Sequence, residues 1–242
     1  MHAGVIRSTY KKSDLNQVAK DFKENVIPIQ AAHEGSRSAM LLIDRDSGEA
    51  ISIGIYEDEA SAKAFGSKAT KLLDGFKKYR TGTAEPKREL FEIATSTQQE
   101  AKAVVERVLK AFNAHDLEAV AREAAPDTLL TAPGGTSLQG VQATKEYNQR
   151  QITAFPDARV EAKKTIAQGN TVVVEGVFTG THAGPLKTPM GDVPPTGRKV
   201  KGEFVQVFEI DRGLVKRNHL IFDQAEMMTQ LGVAPAGARS TA

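Results

Sequence analysis

Residues 199–224 read KVKGEFVQVFEIDRGLVKRNHLIFDQ, two apolar, strand-like runs, the second of which carries His219 and Asp223 where a buried strand would carry valine. Side chains of one parity share a face of a strand. Val215, Arg217, His219, Ile221 and Asp223 are therefore expected on one wall, with Leu220 and Phe222 on the other. On the neighbouring run Glu203 and Gln206 have opposite parity, so at most one of them faces inward unless a bulge intervenes. Two more such runs precede these, DARVEAKKTIAQ (157–168) and TVVVEGVFTGTHAG (171–184). Before them come three helical stretches: an amphipathic one marked by Val104, Val105, Val108, Leu109 and Phe112, a shorter one capped by Asp116, and GVQATKEYNQRQITAF (140–155). Three helices followed by a curved antiparallel sheet make an α+β cone whose helices close one side of a pocket.

The first ninety-five or so residues have a different pattern. The short strand GVIRSTY (4–10) leads into a helix whose buried face is Leu15, Val18, Phe22, Val26 and Ile29, with Ser13 or Asp14 as its cap. Two β-rich runs then flank Asp46, Ser47, Gly48 and Glu49, a hairpin signal because glycine accepts positive φ. A second helix over about 57–79 and the run KRELFEIA (87–94) complete the order βαββαβ, that of a ferredoxin-like sandwich. Its bare sheet face needs cover, which predicts a homodimer. The expected domains are 1–95 and 96–242.

Composition narrows the chemistry. At 242 residues the chain suits two domains. Its 32 basic and 30 acidic residues leave a formal charge of +2, without a basic stripe, so neither a nucleic acid nor a membrane is expected as partner. Without a signal-like apolar N-terminus the expected location is cytoplasmic. The absence of cysteine excludes disulfides, thiolate nucleophiles and cysteine-ligated metals. The five histidines lie far apart, and TAPGGTSLQG (131–140) has neither dinucleotide-binding spacing nor a phosphate-loop lysine, so no metal and no cofactor is expected.

Two stretches resemble known families. NVIPIQAAHEGSRSAMLLIDRDSGEAISIGIYEDEASAKAF (25–65) is similar to the antibiotic biosynthesis monooxygenase type of dimeric α+β barrel. His33, Glu34 and Gly35 stand at that family's P-G-F turn, and Tyr56 replaces its usual tryptophan. GTHAGPLKTPMGDVPPTGRKVKGEFVQVFEIDRGLVKRNHLIFDQAEMMTQLG (180–232) resembles the SnoaL-like polyketide cyclases, or ester cyclases. These carry G-T-H-x-G, P-P-T-G-R, a paired strand motif and a terminal aspartate before Q-L-G. The resemblance covers about residues 100–233 and implies a nuclear transport factor 2-like α+β cone. Arg217 and His219 stand where that family has glutamate and tryptophan. The resemblance implies that Asp223 inherits the general acid and base role of a terminal-strand aspartate.

The residues themselves leave two readings open. Asp223 and His219 could be catalytic on a shared pocket wall, where desolvation would raise the carboxyl's pKa towards that of a useful base. Equally, Asp223 could cap the helix that follows and His219 could be a hydrogen-bonded core histidine. His182 stands at a strand end, as a pocket-rim or a turn-stabilising residue. Glu203, Gln206 and Tyr147 are expected to bind substrate, with Asn148 beside them, whereas His115 and Asp116 read as caps. The expected function is cofactor-independent, intramolecular aldol-type chemistry on a small hydrophobic carbonyl or ester compound. The rival is a small-ligand-binding or assembly protein with a dimerising N-terminal barrel. An oxygenase in the N-terminal half ranks last, for want of an evident polar cluster.

Overall fold

The computed structural model describes residues 1–82, 85–188 and 191–233. Residues 189–190, within the second motif, and 234–242, the end of the second expected domain, lie outside them. The chain divides into two compact units, Met1–Ala94 and Thr95–Ala242.

The first unit runs β1 (His2–Thr9), α1 (Leu15–Asp21), a π-helical turn (Phe22–Val26), α2 (Ile27–Ala31), β2 (Ser36–Ile43), β3 (Glu49–Tyr56), α3 (Glu59–Asp74) and β4 (Arg88–Glu92). Its four strands form one antiparallel sheet in the order β2-β3-β1-β4. The β2–β3 turn closes as its residues dictate. Gly48 adopts φ 81°, and Asp44 Oδ1 accepts the Asp46 amide at 2.9 Å.

Leu15, Val18, Phe22 and Val26 are buried as the spacing predicts, but Ile29 is 44% exposed and Gln30 takes the inward position at 3%. The cause is the π-turn. The Ile27 amide reaches back five residues to the Phe22 carbonyl, and Pro28 follows without an amide of its own. The extra residue rotates the last turn of the helix. On the opposite side of the sheet Leu42 and Phe91, each 49% exposed, stand uncovered with Met40.

The second unit begins with α4 (Thr97–Asn113) and α5 (Leu117–Arg122), capped by Ser96 and Asp116, whose side chains accept from the Gln99 and Ala119 amides. It continues through β5 (Ala124–Ala132), β6 (Thr136–Gln139), α6 (Val141–Ala154), β7 (Arg159–Gln168), β8 (Thr171–Thr181), the small ribbon β9 (Leu186–Thr188) and β10 (Gly191–Val193), β11 (Lys199–Asp211), β12 (Leu214–Phe222) and α7 (Gln224–Leu231). Six strands make one sheet in the order β6-β5-β12-β11-β8-β7, antiparallel except where β12 pairs with β5. The valine stripe of α4 packs against Val172 and Val174 of β8 and Phe204 and Phe208 of β11. Gly176 leaves room for this, because a Cβ there would stand 2.7 Å from the Phe204 ring. Burying a phenylalanine of this kind contributes roughly 1.5–3 kcal/mol.

Two side-chain amides finish what the strands leave open. Asn113 donates to the Val160 carbonyl and accepts from its amide, both at 2.8 Å. Gln230 does the same at Lys201, beyond the last β12 partner of β11, at 2.9 and 2.8 Å. Each amide stands in for a missing strand, and at the part-buried Val160 this counts most, because a buried backbone group without a partner costs about 1–3 kcal/mol. Asn113→Ala is therefore expected to lower unfolding free energy by about 1–3 kcal/mol in a urea titration, with the loss reported by fluorescence and circular dichroism together.

Candidate functional site

A cavity of about 140 Å³ opens between the concave face of the six-stranded sheet and helices α4 to α7. Its walls are mostly apolar, with Val108 and Phe112 from α4, Phe178 from β8, Phe208 from β11, and Leu220 and Phe222 from β12. Polar groups enter from three sides: Tyr147, Asn148 and Gln151 from α6, Gln206 and Asn218 from the sheet, and Glu203, Asp223 and Glu226 from its more exposed border.

Which β12 residues point inward differs from simple alternation. The pairing register slips between Val215 and Arg217 against β5, and between Glu209 and Ile210 against β11. This bulge reverses the parity. Val215 is inward, but the next inward residues are Asn218, Leu220 and Phe222, whereas Arg217, His219 and Ile221 are exposed. His219 and Asp223 therefore do not share a cavity wall. The His219 ring instead meets the Thr131 hydroxyl through Nδ1, on the outer face of the sheet, and does not line the cavity.

Asp223 sits at the junction of β12 and α7 and has two roles in the structure. Its Oδ1 accepts the Glu226 amide at 2.9 Å as the N-cap of α7, and the residue also borders the cavity. The QLG that follows closes this helix: Gln230 clamps Lys201, Leu231 is buried, and Gly232 adopts φ 73° as the left-handed C-cap.

The opposite parity of Glu203 and Gln206 resolves without moving either. Gln206 faces inward and donates through Nε2 to Asn218 Oδ1 at 2.8 Å, while Glu203 is exposed and borders the cavity from its rim. Tyr147 lines the cavity with its hydroxyl unpaired among the described residues, and burial pushes its phenol up to about 12. Asn218 was not singled out in the sequence, because only the bulge turns it inward.

Of the two readings of His182, pocket rim or turn-stabilising residue, the structure matches the second, and His182 does not line the cavity. It is fully buried beneath the 194–198 segment. Its amide donates to the Arg198 carbonyl and its carbonyl accepts from Gly197, both at 2.9 Å, while Nδ1 meets the Thr196 hydroxyl at 3.1 Å and the ring lies against Phe155. The P-P-T-G-R motif is thus a backbone collar around a histidine, and desolvation pulls the imidazole pKa down.

The first unit contains a polar cluster that the sequence did not reveal. A smaller cavity, about 40 Å³, is bordered by Gln30, Tyr56 and Arg88 above two glycines paired across β1 and β3, Gly4 and Gly54. A Cβ on Gly4 would stand 2.3 Å from Arg88 Nη2, and one on Gly54 would stand 2.3 Å from Gln30 Nε2. Arg88 donates to the Ala62 carbonyl at 2.9 Å, its guanidinium 5.7 Å from the centre of the Tyr56 ring, and burial raises the Tyr56 phenol. Among the described residues no three His, Asp or Glu side chains gather as a metal-binding group, and no helix is long and apolar enough to cross a membrane.

Comparison with known proteins meets this geometry in the second unit. The family described as SnoaL-like polyketide cyclase matches residues 102–231. A SnoaL-like polyketide cyclase candidate from Jannaschia sp. CCS1 superposes with a TM-score of 0.53 at 20% identity, covering 60% of this chain and 100% of that one. AclR, a hydroxylase candidate from Streptomyces galilaeus, superposes with a TM-score of 0.50 at 23% identity, covering 57% of this chain and 99% of its own. These likenesses establish the nuclear transport factor 2-like cone of the second unit. No curated protein matches the chain.

The depressed imidazole of His182 is expected to make the stability of this unit pH-dependent. Its folded pKa lies below the ordinary 6.5, so as pH falls the unfolded chain takes up the proton first. Its contribution is complete above about pH 6.5 and is lost as pH falls through the depressed folded value. Urea midpoints measured from pH 7.5 down to 5 are expected to decline, and His182→Gln is expected to flatten that decline. An unchanged slope in the variant would assign the acid sensitivity to other groups.

Proposed function

Because the chain belongs to the SnoaL-like polyketide cyclase family, which matches residues 102–231, we propose that its second unit is a cyclase-type enzyme. It acts by cofactor-independent acid and base chemistry on a small hydrophobic carbonyl or ester compound. The observation that carries this reading is the position of Asp223, which borders a largely apolar cavity beside Glu203 and Glu226 and has one oxygen held in place by the start of α7. The cap bond to Glu226 ties down Oδ1, and Oδ2 has no partner among the described residues. One oxygen is thereby oriented and the other is left to accept a proton.

A hydrogen on carbon between two carbonyls is acidic enough for a carboxylate to remove, and general-base catalysis of that step contributes typically ~10² to 10⁴ in rate. The apolar walls hold the carbon skeleton. A second reading, a cavity that binds such a compound without converting it, draws support from β12 itself. Its inward positions beyond Asn218 are Leu220 and Phe222, and Glu203, Asp223 and Glu226 are all exposed.

For the first unit the same proposal adds a ferredoxin-like sandwich that pairs with a second copy through its uncovered sheet face. The βαββαβ order and the exposed Met40, Leu42 and Phe91 support it.

Asparagine also caps helices, so Asp223→Asn removes the base and keeps α7 anchored. It is expected to lower turnover of enolisable aryl ketones by ~10² to 10⁴ with little change in ligand affinity. Full turnover in that variant would remove Asp223 from the chemistry, whereas binding without turnover by the unaltered protein would establish the second reading. In sedimentation velocity the unaltered chain is expected as a dimer and the Leu42→Asp, Phe91→Asp double variant as a monomer.

A further inference from the structure

We propose that Tyr147, together with Asn218 as held by Gln206, forms the oxygen-binding end of the cavity and selects neutral ketones or esters whose enolisable carbonyl oxygen reaches it. The proposal rests on the reading of Asp223 as the base and names the group that receives the charge the base creates.

Tyr147 lies on α6, across the cavity from the sheet. Tyr147 is half-buried, and its hydroxyl lines the cavity with no partner among the described residues, so the oxygen is available to a ligand. Two other polar side chains on these walls are engaged: the Thr144 hydroxyl donates to the Gly140 carbonyl at 3.1 Å, and Gln230 is bound twice to Lys201. Burial, which lifts the phenol to about 12, keeps Tyr147 protonated at any physiological pH. It therefore donates a hydrogen bond to an enolate without surrendering the proton.

Asn218 stands opposite Phe208 in the sheet and faces inward. Because its Oδ1 accepts from Gln206 Nε2 at 2.8 Å, its amide plane is fixed and its Nδ2 hydrogens remain for a ligand. Two neutral donors in a low-dielectric cavity suit an oxygen that gains charge during reaction. Lys201 is the one cation bordering the cavity among the described residues, and it is exposed. A free carboxylate at the buried end of the substrate would be unpaired there, which restricts that end to neutral acyl groups.

The step balances without another reactant. Asp223 takes the proton from the carbon next to the carbonyl, the C–H pair becomes the C=C bond of the enolate, and the carbonyl π pair moves onto the oxygen held by Tyr147 and Asn218. The enolate carbon then adds to a second carbonyl of the same molecule. The new alkoxide takes the proton back from the Asp223 carboxylic acid, and no atom leaves.

The test uses the full-length protein with 2-tetralone, an enolisable ketone, and 2-naphthol, which has the shape of its enol. Deuterium exchange of 2-tetralone in D₂O is followed by NMR and 2-naphthol binding by fluorescence. Tyr147→Phe is expected to weaken 2-naphthol about tenfold, the value of one hydrogen bond, and to lower the exchange kcat by ~10² or more with KM changed far less. Thermal unfolding checks that the variant is folded, and Asn218→Leu is expected to move both readouts in the same direction. Asp223→Asn is expected to abolish exchange and retain 2-naphthol. If Asp223→Asn abolishes exchange and Tyr147→Phe changes neither readout, this proposal falls and the base assignment stands. If Asp223→Asn exchanges normally, the base assignment falls, and a tenfold loss of 2-naphthol in Tyr147→Phe would still support the oxygen site. No binding of 2-naphthol to the unaltered protein overturns the proposal.

Discussion

In the second unit everything about the cavity depends on one extra residue in β12. A strand has a period of two, so a bulge exchanges the faces of all residues beyond it. The slip near residues 215–217 lets Val215 join the core with Phe208 and Ile210, then turns Asn218, Leu220 and Phe222 inward and sends His219 out to Thr131. Without it the cavity would present Arg217 and His219, two polar groups with no inward partner prepared for them. The asparagine that does face inward has one, in Gln206.

The same unit solves a backbone problem twice with the same chemistry. A carboxamide matches the donor and acceptor of a peptide group, so a single Asn or Gln can stand in for a neighbouring strand. Asn113 does so for β7 and Gln230 for β11. These bonds fix where α4 ends and where α7 lies, and both helices contribute to the border of the cavity. The histidine collar at His182 is a third such device, in which the buried residue organises the loop's backbone through its own amide and carbonyl.

What could be read in the sequence was whatever depends on neighbours along the chain. Alternating runs gave the β8, β11 and β12 strands, and the spacing of Val104, Val105 and Val108 gave α4. Gly48 gave its hairpin and Asp116 its cap, and the ordered motifs gave the cone. What escaped was whatever depends on a local change of period or on distant partners. The π-turn put Gln30 inside in place of Ile29, and the bulge removed His219 from the wall. The buried cluster of the first unit draws Gln30, Tyr56 and Arg88 from three separate elements over a glycine pair. Of these, only Tyr56 stood out in the sequence, and nothing along the chain linked it to Gln30 or Arg88.

Asp223 ties the start of α7 to the edge of the cavity through a single carboxylate. An ionised carboxylate is a markedly better acceptor than a neutral acid, and its charge also favours the N-terminal end of a helix. Whenever that carboxylate holds a proton, the bond to Glu226 weakens and the helix is less firmly seated. The seating of α7, and with it one border of the cavity, thus depends on the charge carried by this one side chain.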